Sequence, residues 1–274
     1  MRPSHPPHDA AGGDAPSTAT SGVAVFDLDG TILASDLVES YLWTRLALLP
    51  QRSWPGELLN LIVAAPRYLM AERMDRARFV HAFLRRYAGT DERALRRAVG
   101  GPVGEALLHR ARPEAISRIR AHRAAGHRTV LVTGGLKLLV EPLRPLFDDI
   151  QAGTMPSDAG LMTGRLSAPP TVGEERVTWL LSYAAAHGAE PADVHAYADS
   201  FSDKALLDAV GNPHAVNPDA RLLAYAVHRG WPVERWGRHT GSRWEALAVA
   251  ARGSRGTATR PSSDKSNHVL KETT

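Results

Sequence analysis

Apolar positions fall into short unbroken runs near residue 23 and again after residue 128, with a long helically spaced stretch between them. Val23-Ala24-Val25-Phe26 is continuous, ends at Asp27 and predicts a short buried strand. Over 36–109 apolar residues recur at helical spacing, as at Leu42, Leu46 and Leu49 and at Phe79 and Phe83. Pro50, Pro55, Pro66, Gly89 and Gly100-Gly101-Pro102 are expected to divide this stretch into about four short helices. The rhythm then changes. Helices are expected at 113–125, 173–187, 202–210 and 219–229, and strands at 129–132, 194–198 and 214–216. A further helix at 136–147 contains Pro142 and Pro145, which distort it, and 157–167 reads as a hairpin or flap.

Alternating strands and helices predict an α/β fold with a parallel sheet covered by helices on both faces. Ligands in such sheets bind beyond the carboxyl ends of the strands. A helical insertion after the first strand would overhang that edge as a cap. The expected division is therefore a tail at 1–21, a core of 22–35 and 112–236, a helical cap at 36–111, and a largely disordered extension at 237–274.

Composition narrows the chemistry. The 274 residues carry a net charge of +4, which suits a small anionic substrate and is weak support for nucleic acid. No cysteine is present, so disulfides, thiol catalysis and cysteine zinc sites are excluded. The first twenty residues lack the apolar centre of a signal peptide. The longest apolar candidate, 58–65, is far too short for the ~20 residues of a membrane span. A cytoplasmic location is the expectation.

Three expected strand ends carry polar groups: Asp27-Leu28-Asp29-Gly30-Thr31, Thr133-Gly134-Gly135, and Asp199-Ser200-Phe201-Ser202-Asp203. If the strands are neighbours, four aspartates converge, and they repel one another unless a cation sits among them. Hard oxygen ligands favour Mg²⁺. Asp27 could then attack phosphorus as a nucleophile, and Asp29 could protonate the leaving group and later deprotonate water. Thr133, Gly134 and Gly135 offer a hydroxyl and backbone N–H groups to phosphate at an expected helix start.

These motifs resemble the haloacid dehalogenase (HAD) superfamily, and within it the phosphoserine-phosphatase-like subfamily IB. Asp27-x-Asp29-Gly30-Thr31 matches the first motif, Val132-Thr133-Gly134-Gly135 the second and Asp199-Ser200-x-x-Asp203 the fourth. The resemblance covers roughly 22–236 and implies a Rossmann-like HAD core with a helical cap. It implies that Asp27, Asp29, Asp199 and Asp203 hold magnesium and that Thr133 binds the phosphoryl group. Thr31, Gly134, Gly135 and Asp36 are expected on the substrate side. Asp36 stands where phosphoserine phosphatases meet the substrate amine with an acidic residue, but it could simply cap the first helix.

The third motif departs. Where the family carries lysine, this chain has Arg176, which keeps the charge in a larger planar group. Arg176 could be a catalytic cation or a solvated residue paired with Glu174 or Asp193, and Lys204 is a further candidate cation. His195 is expected to be packed or hydrogen-bonded in a strand, Arg85-Arg86 and Arg96-Arg97 to be solvated faces, and the Trp, Tyr and Leu residues of 41–70 to form the core of the cap, with contact to a membrane surface as the lesser alternative. The leading expectation is a phosphatase of a small phosphorylated metabolite. The rivals are a phosphotransferase, a non-catalytic phospho-ligand binder, and, disfavoured by Asp29, a dehalogenase.

Overall fold

A computed structural model describes residues 22–237 and 248–249; the tails expected at 1–21 and beyond 237 otherwise lie outside the described residues. The strands are β1 (Val23–Asp27), β2 (Arg128–Leu136), β3 (Asp149–Gly153), β4 (Ser157–Asp158), β5 (Leu161–Met162), β6 (Val194–Ala198), β7 (Asn212–Val216) and β8 (Val233–Glu234). Six of them form one parallel sheet in the order β3-β2-β1-β6-β7-β8, and β4 and β5 pair as an antiparallel hairpin. The strand order reverses at β1, between β2 and β6, which makes its carboxyl end the topological switch point.

β1 shows why its sequence is an unbroken apolar run. Val23 and Val25 face one core cluster, Ala24 and Phe26 the other, so both faces of this central strand are covered. Each large side chain buried in this way contributes about 1.5–3 kcal/mol. The helices on the Val23 face are α8 (Glu174–Ala186), α9 (Lys204–Asp208) and α10 (Ala220–Arg229), through Leu180, Leu206 and Leu222. On the Phe26 face, α6 (Pro113–Ala124) contributes Ala115 and Ile119.

Between β1 and α6 lie α1 (Leu37–Leu48), α2 (Trp54–Met74), α3 (Arg76–Leu84), α4 (Glu92–Val99) and α5 (Pro102–His109). Their shared core contains Tyr41, Phe79, Phe83, Tyr87, Leu95 and Val103. The chain leaves the sheet and returns to it along one path. Ala34 N–H donates to Arg110 O and Arg112 N–H to Ile32 O, both at 2.9 Å, beside an antiparallel bridge between Leu33 and Ala111.

Several local expectations need correction. The stretch holds five α-helices among the described residues, and α2 runs unbroken through Pro66. Pro66 removes a bond to the carbonyl of Ile62, but both residues are exposed, so solvent can take that carbonyl. Of 41–70, Tyr41 and Trp43 are buried, whereas Leu59, Ile62, Val63, Leu69 and Met70 stand exposed along α2. Trp43 packs into the sheet core with Phe26. Arg86 is no solvated residue: it donates to Tyr68 Oη at 3.2 Å and Glu57 Oε1 at 3.1 Å, joining α2 to the segment after α3. Arg85, Arg96 and Arg97 are exposed as expected. β3 is absent from the sequence reading because it is an edge strand in which only Ile150 and Gly153 are buried. The segment 136–147 contains just one turn of α-helix, α7 (Lys137–Val140), followed by a 3₁₀ stretch that carries Pro142 and Pro145.

His195 is packed, as expected. It lies against His122 and His127 at the amino end of the sheet, beside the stacked rings of Phe26, Tyr197 and His214. Burial pulls His122 down to about 3 and His195 to about 4, with neighbouring imidazoles adding to the shift. Unfolded histidine titrates near 6.5. Between those values the unfolded chain binds more protons, so both residues withdraw stability as pH falls below about 6.5. Imidazole NMR is expected to show both rings neutral at pH 5; titration of either near 6.5 would contradict their burial.

Candidate active site

The carboxyl ends of β1, β2 and β6 are adjacent, so the three polar segments meet at one edge. They line a cavity of about 210 Å³ with Asp27, Asp29, Thr133, Gly134, Asp199 and Asp203 in its wall. Asp27 ends β1, Asp199 follows β6, and Asp203 closes the 3₁₀ turn before α9. One carboxylate oxygen from each of Asp27, Asp199 and Asp203 lies within 4.8 Å of the other two.

Removing these groups from water penalises their charged forms. Burial lifts Asp27 to about 7, against the opposing pull of the Arg176 guanidinium. Burial and the Asp27 charge lift Asp29 to about 8, and the same two causes lift Asp199 to about 8. Asp27 and Asp199 thus hold protons near neutrality and also stand in the close trio with Asp203, a donor set short of positive charge. All are hard oxygen donors, which fits Mg²⁺.

Arg176 occupies the first turn of α8 and is buried. Its Nη1 donates to Asp27 Oδ1 at 3.0 Å and also to Asp203 Oδ1, while Nε donates to Thr171 O at 3.3 Å. The solvated alternative is thereby overturned; Glu174 is exposed and is no partner. Lys204 does not compensate, because it turns to Asp208 at 2.6 Å and lies over the Tyr225 ring.

Thr31, Thr133, Gly134 and Gly135 differ in detail from expectation. Thr31 is fully enclosed and does not line the cavity; its hydroxyl donates to Asp199 Oδ1 at 3.5 Å. Thr133, Gly134 and Gly135 belong to β2, not to a helix start, because β2 continues to Leu136. The Gly135 N–H is taken by Thr133 Oγ1 at 3.0 Å. Gly134 lines the cavity where a Cβ would press on Val172 and Val80. Asp36 is the cap of α1, its Oδ1 accepting from Glu39 N–H at 2.8 Å, and it also lines the cavity.

Two arginines are additions. Arg76, the first residue of α3, lines the cavity, and its charge lowers the pKa values of Asp27 and Asp29. The sequence signal beside it is Asp75, whose side chain accepts from Ala77 N–H as the cap of α3. Buried Arg112 donates to Gly30 O at 3.3 Å and Gly237 O at 2.7 Å, fixing the turn after β1. In that turn Gly30 has a φ of +81°, and a Cβ there would strike the Asp199 carboxylate. Gly30→Ala is therefore expected to cost about 1–3 kcal/mol in denaturant unfolding and to weaken Mg²⁺ binding by displacing Asp199. Unchanged values for both would show that the turn relaxes freely.

A family model described as haloacid dehalogenase-like hydrolase matches residues 24–208. A probable phosphatase of Mycobacterium tuberculosis is 31% identical over 240 residues, covering 85% of this chain and 80% of that protein. The inhibition of morphological differentiation protein of Streptomyces azureus is 31% identical over 215 residues, covering 77% of this chain and 76% of its own. The crystal structure of a probable phosphoserine phosphatase from Vibrio cholerae shares the fold at a TM-score of 0.61 and 17% identity, over 86% of this chain and 67% of that one. With the model matched across the three strands that build the cavity, and relatives aligned over three quarters of the sequence or more, this chain belongs to the haloacid dehalogenase-like hydrolase family.

Proposed function

We propose that this phosphatase-type hydrolase is a magnesium-dependent phosphomonoesterase that works through an aspartyl-phosphate on Asp27 and takes a small phosphorylated metabolite. The observation that carries the reading is the pairing of unlike aspartates. Asp27 accepts from the Arg176 guanidinium at 3.0 Å and is raised to about 7, whereas burial and the Asp27 charge raise Asp29 further, to about 8, so that of the two Asp29 is the better holder of a proton. One carboxylate is thus supported as nucleophile and the other as acid.

The first step joins an Asp27 oxygen to phosphorus while the ester oxygen departs with the Asp29 proton. Water then gives its proton to Asp29 and its oxygen to phosphorus, releasing phosphate and regenerating both carboxyl groups. Thr133 and the backbone at Gly134 would receive the phosphoryl oxygens, and Thr31 would steady Asp199. Mg²⁺ would be held by Asp27, Asp199, Asp203 and the Asp29 backbone, and would supply charge neutralisation for the transferring group. Arg176 bridges Asp27 and Asp203, a contact that supports it in the place of the family's lysine and favours an enzyme over a purely binding role.

In this reading residues 36–111 are the cap over a core of 22–35 and 112–236. Asp36 and Arg76 place opposite charges on the cavity wall, which suits a zwitterionic leaving group of phosphoserine type. A cavity of about 210 Å³ fits a metabolite and not a macromolecule. No helix among the described residues is long and apolar enough to cross a membrane.

The test is phosphate release from a panel of phosphomonoesters, with and without Mg²⁺. Release that requires the metal is expected; silence across the panel with metal bound would reject the proposal. Asp29→Asn separates the roles further. A fall in kcat of about 10²–10⁴-fold is expected for alkyl phosphates, which need an acid, and a much smaller fall for p-nitrophenyl phosphate. Equal falls for both would remove Asp29 as the acid.

A further inference from the structure

Three imidazoles meet at the amino end of the sheet, opposite the aspartates. His122 projects from the last turn of α6, His127 immediately precedes β2, and His195 is the second residue of β6. One nitrogen from each lies within 4.8 Å of the other two. Their ring centroids are 5.1 Å (His122–His127), 4.7 Å (His122–His195) and 5.3 Å (His127–His195) apart.

The sheet register explains the convergence. On β1, Ala24 stands between Thr129 of β2 and His195 of β6. Gly22, two residues back on the same face, has no side chain, and a Cβ there would lie 3.2 Å from the His127 ring. Small residues on the central strand thus leave room for imidazoles arriving from both neighbours.

We propose that His122, His127 and His195 form a second metal site, for a divalent transition-metal ion of the Zn²⁺ type and not for Mg²⁺. Imidazole nitrogens suit Zn²⁺, Ni²⁺ and Co²⁺, whereas magnesium takes oxygen. His122 Nδ1 faces His127 Nδ1 at 2.9 Å. His122 Nε2 lies 2.8 Å from Tyr197 Oη. When Nε2–H donates to the tyrosine oxygen, Nδ1 keeps its lone pair, which is the arrangement that orients a metal-binding histidine. His195 Nδ1 is buried and has no hydrogen-bond partner, a state that a packed histidine rarely accepts.

The surrounding charges permit a cation. Arg118 faces His122 and His195, but its guanidinium is taken up by Glu234 Oε2 at 2.7 Å. The other Glu234 oxygen holds His214 Nδ1 at 2.9 Å. The site lies about 10 Å along β1 from Asp27. Its role is structural: it pins the α6–β2 turn to β6 across the central strand.

The test uses the untagged full chain after chelator treatment. At Zn²⁺ concentrations of about 100 times Kd, Tm is expected to rise by about 5–10 °C. That rise is expected to persist in Asp27→Asn, which separates it from binding at the aspartates, and to vanish in the His127→Gln/His195→Gln variant. No rise, a rise that survives the histidine changes, or a rise lost in Asp27→Asn would each overturn the site. Should the double variant fail to fold, imidazole NMR of the wild-type chain decides. Zn²⁺ is expected to move the ring signals of these three histidines while Mg²⁺ leaves them in place, and unmoved signals refute the proposal.

Discussion

Asp27→Asn is expected to lower kcat/KM for every phosphomonoester by at least about 10⁴-fold, the scale seen when a covalent nucleophile is removed. The substitution keeps shape and hydrogen-bonding capacity but removes the oxygen that would attack phosphorus. It is expected to leave the fold intact. Ionised Asp27 is costly in the metal-free protein, since burial raises its carboxyl to about 7 from an ordinary 3.8. A raised carboxyl pKa means that the folded state keeps a proton the unfolded state has lost, so stability drains as pH climbs from about 4 through 7. Asparagine removes that drain, and the variant's Tm is expected to vary less with pH than that of wild type. Residual activity above about 1%, with contamination excluded, would place the nucleophile elsewhere.

The second large effect belongs to Arg176. Its Nη1 serves Asp27 and Asp203 together from a buried position. Arg176→Ala leaves both carboxylates without that cation, and breaking a buried pair in this way costs about 3–5 kcal/mol. The loss is expected to grow with pH, because an Asp27 without its guanidinium holds its proton still higher. Activity is expected to fall by about 10²-fold or more, the scale of losing one preorganised charge at a transition state. Arg176→Lys restores a compact ammonium and is expected to stay within about tenfold of wild type, with only part of the stability recovered. Urea unfolding and steady-state kinetics on the same preparations measure both. An alanine variant with near-normal values would demote Arg176 to packing.

Asp27, Asp199 and Thr133 were legible because each stands where an apolar run stops, and Asp29 because it follows Asp27 by two residues, signals written in neighbouring residues. Arg176 was half legible. Its charge and position were plain, but its burial depends on how α8 packs against two loops far away in sequence. Arg76 was hidden because nothing within the helical stretch marks which helix end will face the sheet. Thr31 was misread for the converse reason: a motif position does not say whether a hydroxyl faces the cavity or a neighbouring carboxylate. The helix boundary expected at Pro66 failed because a proline is tolerated where the freed carbonyl faces water. β3 escaped notice because edge strands need not be apolar.

The paired crossings at Leu33 and Ala111 have a consequence for ancestry and engineering. A segment that departs and re-enters through adjoining backbone closes its loop at its own base, so its length adds little entropic burden to the sheet. A shorter insert would keep that base closed, provided that the place of Trp43 against Phe26 is filled. The fold therefore carries a built-in exchange port, where the insert can be lengthened or replaced without moving the strand ends that carry the aspartates.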